Sequence, residues 1–363
     1  MASDAAPLVS YLVDTPPGDL PILSTAGTQS LYHATPETGT YSHHSHIMFH
    51  GGVLYATWSN HAADEDAPGQ RVLMRRSTDP LGSWGDCVEL FPPLDRVDRA
   101  EHDGAGRRTQ CANGFAVLDD VLYAFSEVWD DGGGCREGGQ GRLVRRVGPG
   151  DTPGNIFWLR TDAPASKVGL PAFPPGEPAL VDWLTAHLRR PGNELTWDFR
   201  NLTTRPTADD GHLLCEPTPA WRLADGAWCK LYRDLGASFH NYASFSRDDG
   251  ATWIPPTRTT FPDANSRATA GTLPDGQVYV VSNTSPSGRD PLVISLSRDG
   301  LTFDRAFILR VEAPPRRHEG RWKGHGFQYP NTAVVGEHLW VMYSVNKEDV
   351  QLTCIPLAEL ASP

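Results

Sequence analysis

Three histidines crowd into the segment Tyr41-Ser42-His43-His44-Ser45-His46, and His61 follows in Ser59-Asn60-His61. In an extended chain His44 and His46 share one face, and His43 and Ser45 the other. Imidazoles so placed could move protons near neutral pH, contact a substrate, help ligate a metal or simply fill space. A second concentration is acidic, Asp64-Glu65-Asp66, followed by Pro68-Gly69-Gln70-Arg71. An acid there could donate a proton or bind sugar hydroxyls; equally, the segment could be a charged loop braced by Gln70 and Arg71. The cations Arg108, Arg267 and Arg289 are spread along the chain. Guanidinium groups grip carboxylates in two-point fashion, so three on one rim would make a clamp, whereas one alone is usually a brace. Tyr329 and His240 add a phenol and a further imidazole, and Trp322 and Lys323 sit in a basic stretch, 316–323, able to fold across a pocket mouth.

Something must bring these scattered groups together, and the chain's repeats say what. Ser246-Arg247-Asp248-Asp249-Gly250-Ala251-Thr252-Trp253 is answered by Ser297-Arg298-Asp299-Gly300-Leu301-Thr302-Phe303 and, in degraded form, by Ser77-Thr78-Asp79-Pro80-Leu81-Gly82-Ser83-Trp84. An Asp that can bond its own turn's amides, a Gly for positive φ and a pinning aromatic describe a tight hairpin. Upstream of these lie apolar runs broken at Gly51-Gly52, Asp119-Asp120, Asp225-Gly226, Asp275-Gly276 and Gly336-Glu337. The two phrases together describe an all-β chain: a β-propeller of four-stranded antiparallel blades, five of them legible. Residues 142–147 and 156–160 read as one outer pair, and 8–13 and 31–34 as strands that complete the last blade. A single domain over 1–363 is expected, with an irregular Pro-rich and helical insertion around 161–212 that includes a helix near 178–188. Six or seven blades fit this reading.

In a propeller the starts of the innermost strands converge on one face. Preceding those strands here are the 41–46 histidine segment, Arg107-Arg108-Thr109-Gln110-Cys111-Ala112-Asn113, Cys215-Glu216-Pro217, Asn265-Ser266-Arg267 and the segment from His325 to Asn331. One polar pocket follows, with His46, Arg71, Asn113, Glu216, His240, Arg267, Arg289 and Lys323 as candidate substrate contacts.

A formal charge of −12 argues against a nucleic-acid partner held by a broad basic surface. No apolar run approaches membrane length, so no membrane partner is expected, and a monomer is. The N-terminus lacks a signal-peptide pattern, which reads as cytoplasmic, or as secreted with the signal peptide already removed. Six cysteines without CxxC spacing read as reduced thiols, with one or two disulfides as the alternative if the protein is secreted. No GxSxG, HExxH, Walker or GxGxxG pattern is present.

The repeated phrase resembles the Asp-box, or bacterial neuraminidase repeat, of the sialidase superfamily. True sialidases are six-bladed and use an arginine triad, a Tyr–Glu nucleophile pair and an Asp acid; their Arg-Ile-Pro signature is absent here. The segments 42–46, Trp58-Ser59-Asn60, 65–71, 113–117 and 142–146, and the ending Tyr343-Ser344-Val345-Asn346-Lys347-Glu348-Asp349, are similar to propellers acting on uronate-containing glycans. These are ulvan lyases, rhamnose–glucuronate lyases and related α-rhamnosidases, generally seven-bladed. The resemblance implies a seven-bladed polysaccharide lyase that cleaves a rhamnose- and glucuronate-containing glycan by β-elimination. His44 and His61 would be base and partner acid, Arg108, Arg267 and Arg289 the carboxylate clamp, and Tyr329 an aid to proton transfer. No cofactor is required and no metal ligands are assigned, although a structural calcium or zinc ion stays open. An exo-glycosidase of α-rhamnosidase or sialidase type, with Glu65 and Glu216 as its carboxylates, is the first alternative. A non-catalytic glycan-binding propeller is the second.

Overall fold

The computed structural model describes residues 8–94, 108–130, 141–148, 153–159 and 207–361, with isolated positions 182, 186 and 191. The helix expected near 178–188 and most of the 161–212 insertion fall outside these residues.

Among the described residues, five antiparallel sheets follow one another, each built from the inside outward. The first comprises Tyr41–His50, Val53–His61, Arg71–Ser77 and Val88–Phe91. The second comprises Arg108–Leu118, Val121–Asp130, Gly141–Val147 and Ile156–Leu159, so the expected outer pair is the outer half of this blade. In the third, Trp228–Asp234, His240–Ser246 and Thr257–Pro262 are flanked inside by two short strands, Leu214–Cys215 and Trp221–Arg222. Pro217 and Pro219 stand between those two pieces; lacking N–H groups, they cannot continue the ladder. The fourth is Thr269–Thr272, Val278–Ser282, Leu292–Ser297 and Arg305–Arg310. The fifth joins Phe327–Val335, His338–Val345 and Asp349–Pro356 to Gly27–Tyr32 from the other end of the chain.

That last pairing closes the structure by joining the two ends of the chain in one blade, as expected for 31–34. The segment 8–13 does something else. Its Ser10–Tyr11 strand runs parallel to Thr302–Phe303, beside the fourth blade's turn, and adds nothing to the fifth blade. Tyr11 packs edge-on against Phe261, 4.9 Å between centroids, so burial of an aromatic decides its place over strand completion.

The core lies between blades. Tyr55 and Val72 of the first sheet pack with Ala112, Leu122 and Ala124 of the second. Leu231 and Phe245 of the third meet Ala270 and Val280 of the fourth, and Val281 and Ile294 meet Val341 and Tyr343 of the fifth. Trp340 and Met342 then pack on Leu54 and Trp58 of the first. Strands covered on both faces need apolar residues at consecutive positions, as in Leu292–Ser297, every residue of which is buried.

Each repeated turn works through local bonds. The Asp248 carboxylate accepts from Ser246 Oγ at 2.8 Å and from the Thr252 amide at 2.9 Å, while Gly250 takes φ +81°. Asp299 repeats this with Ser297 Oγ at 2.9 Å and the Thr302 amide at 2.6 Å. These turns join third to fourth strands. By strand alternation they lie at the end opposite to that where inner strands begin and second strands finish. The turns therefore staple the blades and leave the other rim to carry chemistry. Among the described residues, Cys87, Cys229 and Cys354 are free thiols.

Candidate functional site

At the chemical rim the inner strands share a device. Their registers slip between His43 and His46, between Ala112 and Gly114, and between Gln328 and Asn331. At the same place in successive blades the backbone turns left-handed: His44 (φ +53°), Gly114 (+95°), Glu216 (+49°), Asn265 (+55°) and Tyr329 (+53°). A non-glycine residue held there costs of order 1 kcal/mol or more and survives where surrounding structure enforces it. Such bulges re-aim a side chain. Four polar side chains at these positions meet in one cluster: Glu216 and His44 beside Tyr329, and Asn265 on Arg233, which bonds Tyr329; at the fifth position glycine leaves room for the His46 ring, 3.3 Å from where a Cβ would stand.

Tyr329 is the hub. Its hydroxyl donates to Glu216 Oε1 at 2.7 Å and accepts from the Arg233 guanidinium at 3.0 Å. Arg233 also holds Glu216 Oε2 at 2.9 Å and Asn265 Oδ1 at 2.6 Å. Arg289 and Arg267 lie over the Tyr329 ring, 5.5 and 5.9 Å from its centroid. Arg289 is steadied by Gln328 Oε1 at 2.6 Å and the Asn265 carbonyl at 3.2 Å. Arg267 is fully buried, and none of its three guanidinium nitrogens has a hydrogen-bond partner among the described residues. On the other side the His43 ring stands 4.1 Å from that of Tyr329. His44 Nε2 lies 3.6 Å and His43 Nε2 3.8 Å from Glu65 Oε1. Lys347 pairs with the other Glu65 oxygen, and Tyr41 donates to Oε1 at 3.2 Å.

Burial and charge set the protonation states. Burial alone would raise Glu216, but the Arg233 charge and the bonds from Arg233 and Tyr329 hold it below the usual carboxylate range. Burial first, then the Glu216 charge, pushes the Tyr329 phenol well above its ordinary value, so it keeps its proton until a base takes it. Burial, with Lys347 and Arg267 adding to it, drops His44 to about 3, and burial likewise holds His43 well below its ordinary value. Both imidazoles are neutral. Burial and the Glu65 charge raise Asp66 to about 7.

The other predicted residues divide plainly. Glu216, Arg267, Arg289 and Tyr329 meet at the hub, with the His44 ring beside them, 5.9 Å from that of Tyr329. His61 is not brought to His44 by any direct contact: its Nδ1 accepts from the amides of Ala63 (3.2 Å) and Asp64 (3.0 Å), capping its own loop. His46 bonds the Ala112 carbonyl at 3.2 Å and ties first blade to second. Arg71 braces Asn60 and the Thr38 carbonyl, each at 2.9 Å. Asn113 accepts from Arg142, which is ion-paired with buried Glu127 at 2.9 Å. His240 bonds the Ser238 carbonyl at 2.9 Å, within its own loop. Lys323 is buried on Thr40 Oγ1 at 3.0 Å. Its stretch is clipped to the acidic loop by Asp64, which accepts from the amides of Arg321 (2.7 Å) and Trp322 (3.2 Å). Arg108 begins the second inner strand, opposite Asp130; its side chain lies outside the described residues.

Arg233 and Lys347 escaped the sequence reading. Both lie where a second strand ends, on the rim where inner strands start. Extending the argument to those ends would have found them.

Residues 174–341 match the family model described as a BNR repeat-like domain. No curated protein matches the chain. Among solved structures, a sialidase superposes with TM-score 0.78 at 24% identity, over 96% of this chain but only 35% of that one. A Hadza microbial sialidase gives 0.59 at 12% identity, covering 91% and 68%. The leech intramolecular trans-sialidase gives 0.53 at 10%, covering 92% and 71%. This chain therefore spans about a third of the first of these proteins, and what the likenesses establish is the architecture: a sialidase-like β-propeller carrying BNR-type repeats.

Proposed function

We propose that this protein is a retaining exo-glycosidase that releases a terminal carboxylated sugar from a glycan. One observation carries the reading: the Tyr329 hydroxyl donates to Glu216 at 2.7 Å while Arg233, Arg267 and Arg289 surround the same ring. A phenol with a strongly raised proton affinity is a poor nucleophile alone. Beside an ionised carboxylate and three guanidinium groups it becomes a good one, because the proton has an acceptor and the emerging phenolate has counter-charges. Being neutral at rest, it also does not repel an anionic substrate.

In this mechanism Glu216 takes the Tyr329 proton as the phenolic oxygen attacks the anomeric carbon. Asp66, in the loop that carries Glu65, protonates the departing glycosidic oxygen. Water then attacks the glycosyl–tyrosine bond, giving its proton to Asp66, and Glu216 returns the proton to Tyr329. Arg289 and Arg267 favour the substrate carboxylate. The lyase reading would use His44 and His61 together, and it has less support: His61 is engaged with its own loop and His44 faces Glu65.

The test is mass spectrometry of products from a panel of sialylated and uronate-bearing glycans, with wild type, Tyr329→Phe and Glu216→Gln. Hydrolysis products carrying the full mass of water, and loss of turnover in both variants, are expected. Products lighter by one water, or undiminished turnover in Tyr329→Phe, would overturn the proposal.

A further inference from the structure

We infer that His43, His44 and Glu65 form a binding site for a zinc-type divalent ion in the pocket wall beside Tyr329. This stands independently of the glycosidase proposal. One ligand atom from each residue lies within 4.8 Å of the other two. Ser344 Oγ holds His43 Nδ1 at 2.7 Å and so fixes the ring. His43 Nε2 is fully buried, has no hydrogen-bond partner among the described residues and lies 3.8 Å from a carboxylate oxygen. A buried ring nitrogen left unsatisfied beside a carboxylate is costly, and a cation between the two would satisfy both.

His44 converges on the same oxygen from 3.6 Å, with its Nδ1 held by Ser59 Oγ at 3.1 Å. Outer hydroxyls that orient both rings are the kind of support that metal-ligating histidines receive. Zinc bonds of about 2.0–2.2 Å need ligand atoms roughly 3.2–3.6 Å apart, so the two His–Glu65 separations, 3.6 and 3.8 Å, must close by a fraction of an ångström and the widest separation in the triad by up to roughly 1.6 Å. Two imidazoles and one carboxylate select zinc-like ions over calcium or magnesium. Lys347 occupies the other Glu65 oxygen, and the metal would share Oε1 with the Tyr41 hydroxyl, which donates to it at 3.2 Å. Three protein ligands leave a coordination position open toward the pocket.

The full-length protein, stripped with a chelator and verified metal-free, is titrated with zinc chloride by calorimetry, with calcium chloride in parallel. Thermal unfolding is followed with each ion. One zinc per chain, a raised Tm with zinc only, and at least tenfold weaker binding in both His43→Gln and Glu65→Gln are expected. Ser344→Ala, which keeps all three ligands, should weaken binding several-fold and stands in if a ligand variant fails to fold. His212→Gln, remote from the site, should bind as wild type. Absence of stoichiometric zinc binding, or binding unchanged by the His43, Glu65 and Ser344 substitutions, would overturn the inference.

Discussion

Replacing Arg267 by methionine should stabilise the folded protein while slowing its reaction. The guanidinium is fully buried, and its three nitrogens lack hydrogen-bond partners among the described residues. Burial, only partly offset by the Glu216 charge, pulls its proton affinity down to about 10. At 1.36 kcal/mol per factor of ten, that net drop from the ordinary guanidinium value is about 3 kcal/mol working against the charged form. Methionine, shorter but flexible, fills much of the space next to the ring. Replacing buried charge by apolar volume commonly gains about 1–4 kcal/mol; the expected gain here is about 1–2 kcal/mol, or a few degrees in Tm. The same substitution removes one of the three charges that favour the Tyr329 phenolate, so kcat should fall by at least tenfold. Urea unfolding and steady-state kinetics on the best glycan of the panel measure both quantities. A variant less stable by 1 kcal/mol or more, with unchanged kcat, would refute the reasoning and make Arg267 a structural brace.

Three further expectations follow from the geometry. Asp263 is raised to about 6 by burial, so its contribution to stability is greatest below its unfolded value near 3.8 and is lost as pH rises through 6. Asp263→Asn, which can still accept from the Ser266 amide, should therefore gain stability over wild type at pH 7.5, by about 3 kcal/mol at most, and the gap should shrink at pH 4.5; equal gaps at both pH values in urea melts would contradict this. Glu127→Ala strips buried Arg142 of its 2.9 Å partner and should cost about 3–5 kcal/mol, with Arg142→Met in the same chain recovering much of the loss. Gly114→Ala forces a Cβ onto a backbone at φ +95°, 3.3 Å from His46, and should lower stability by more than about 1 kcal/mol by the same assay.

The fold was legible where its causes are local. An Asp-box bonds only to its own turn, and Asp225-Gly226 needs only its own positive φ, +87° at Gly226, so both announce themselves in a few residues. The closing strand was readable because 31–34 is an apolar stretch with no partner nearby in sequence. What decided the place of 8–13 was an aromatic contact with Phe261, some 250 positions away, which no local pattern carries. The site was half legible for the same reason. Glu216, Arg267 and Tyr329 were found because propeller topology brings the starts of inner strands together, and Arg289 as a further cation of the same blade as Arg267. Arg71, His46 and Asn113 have the same chemistry on the page, yet each is spent on a carbonyl, an amide or a guanidinium of the scaffold. Nor does sequence mark the left-handed backbone at Glu216 and Tyr329, residue types with little preference for it.

The account's central claim is that Tyr329 becomes covalently glycosylated. The direct measurement is intact-protein and peptide mass spectrometry after incubation with a fluorinated, slowly turned-over analogue of the sugar that the panel releases. The account predicts one added glycosyl mass per chain, located on Tyr329 and absent from Tyr329→Phe. Turnover of the parent glycan by a protein that never acquires that mass, or acquires it on another residue, would contradict it.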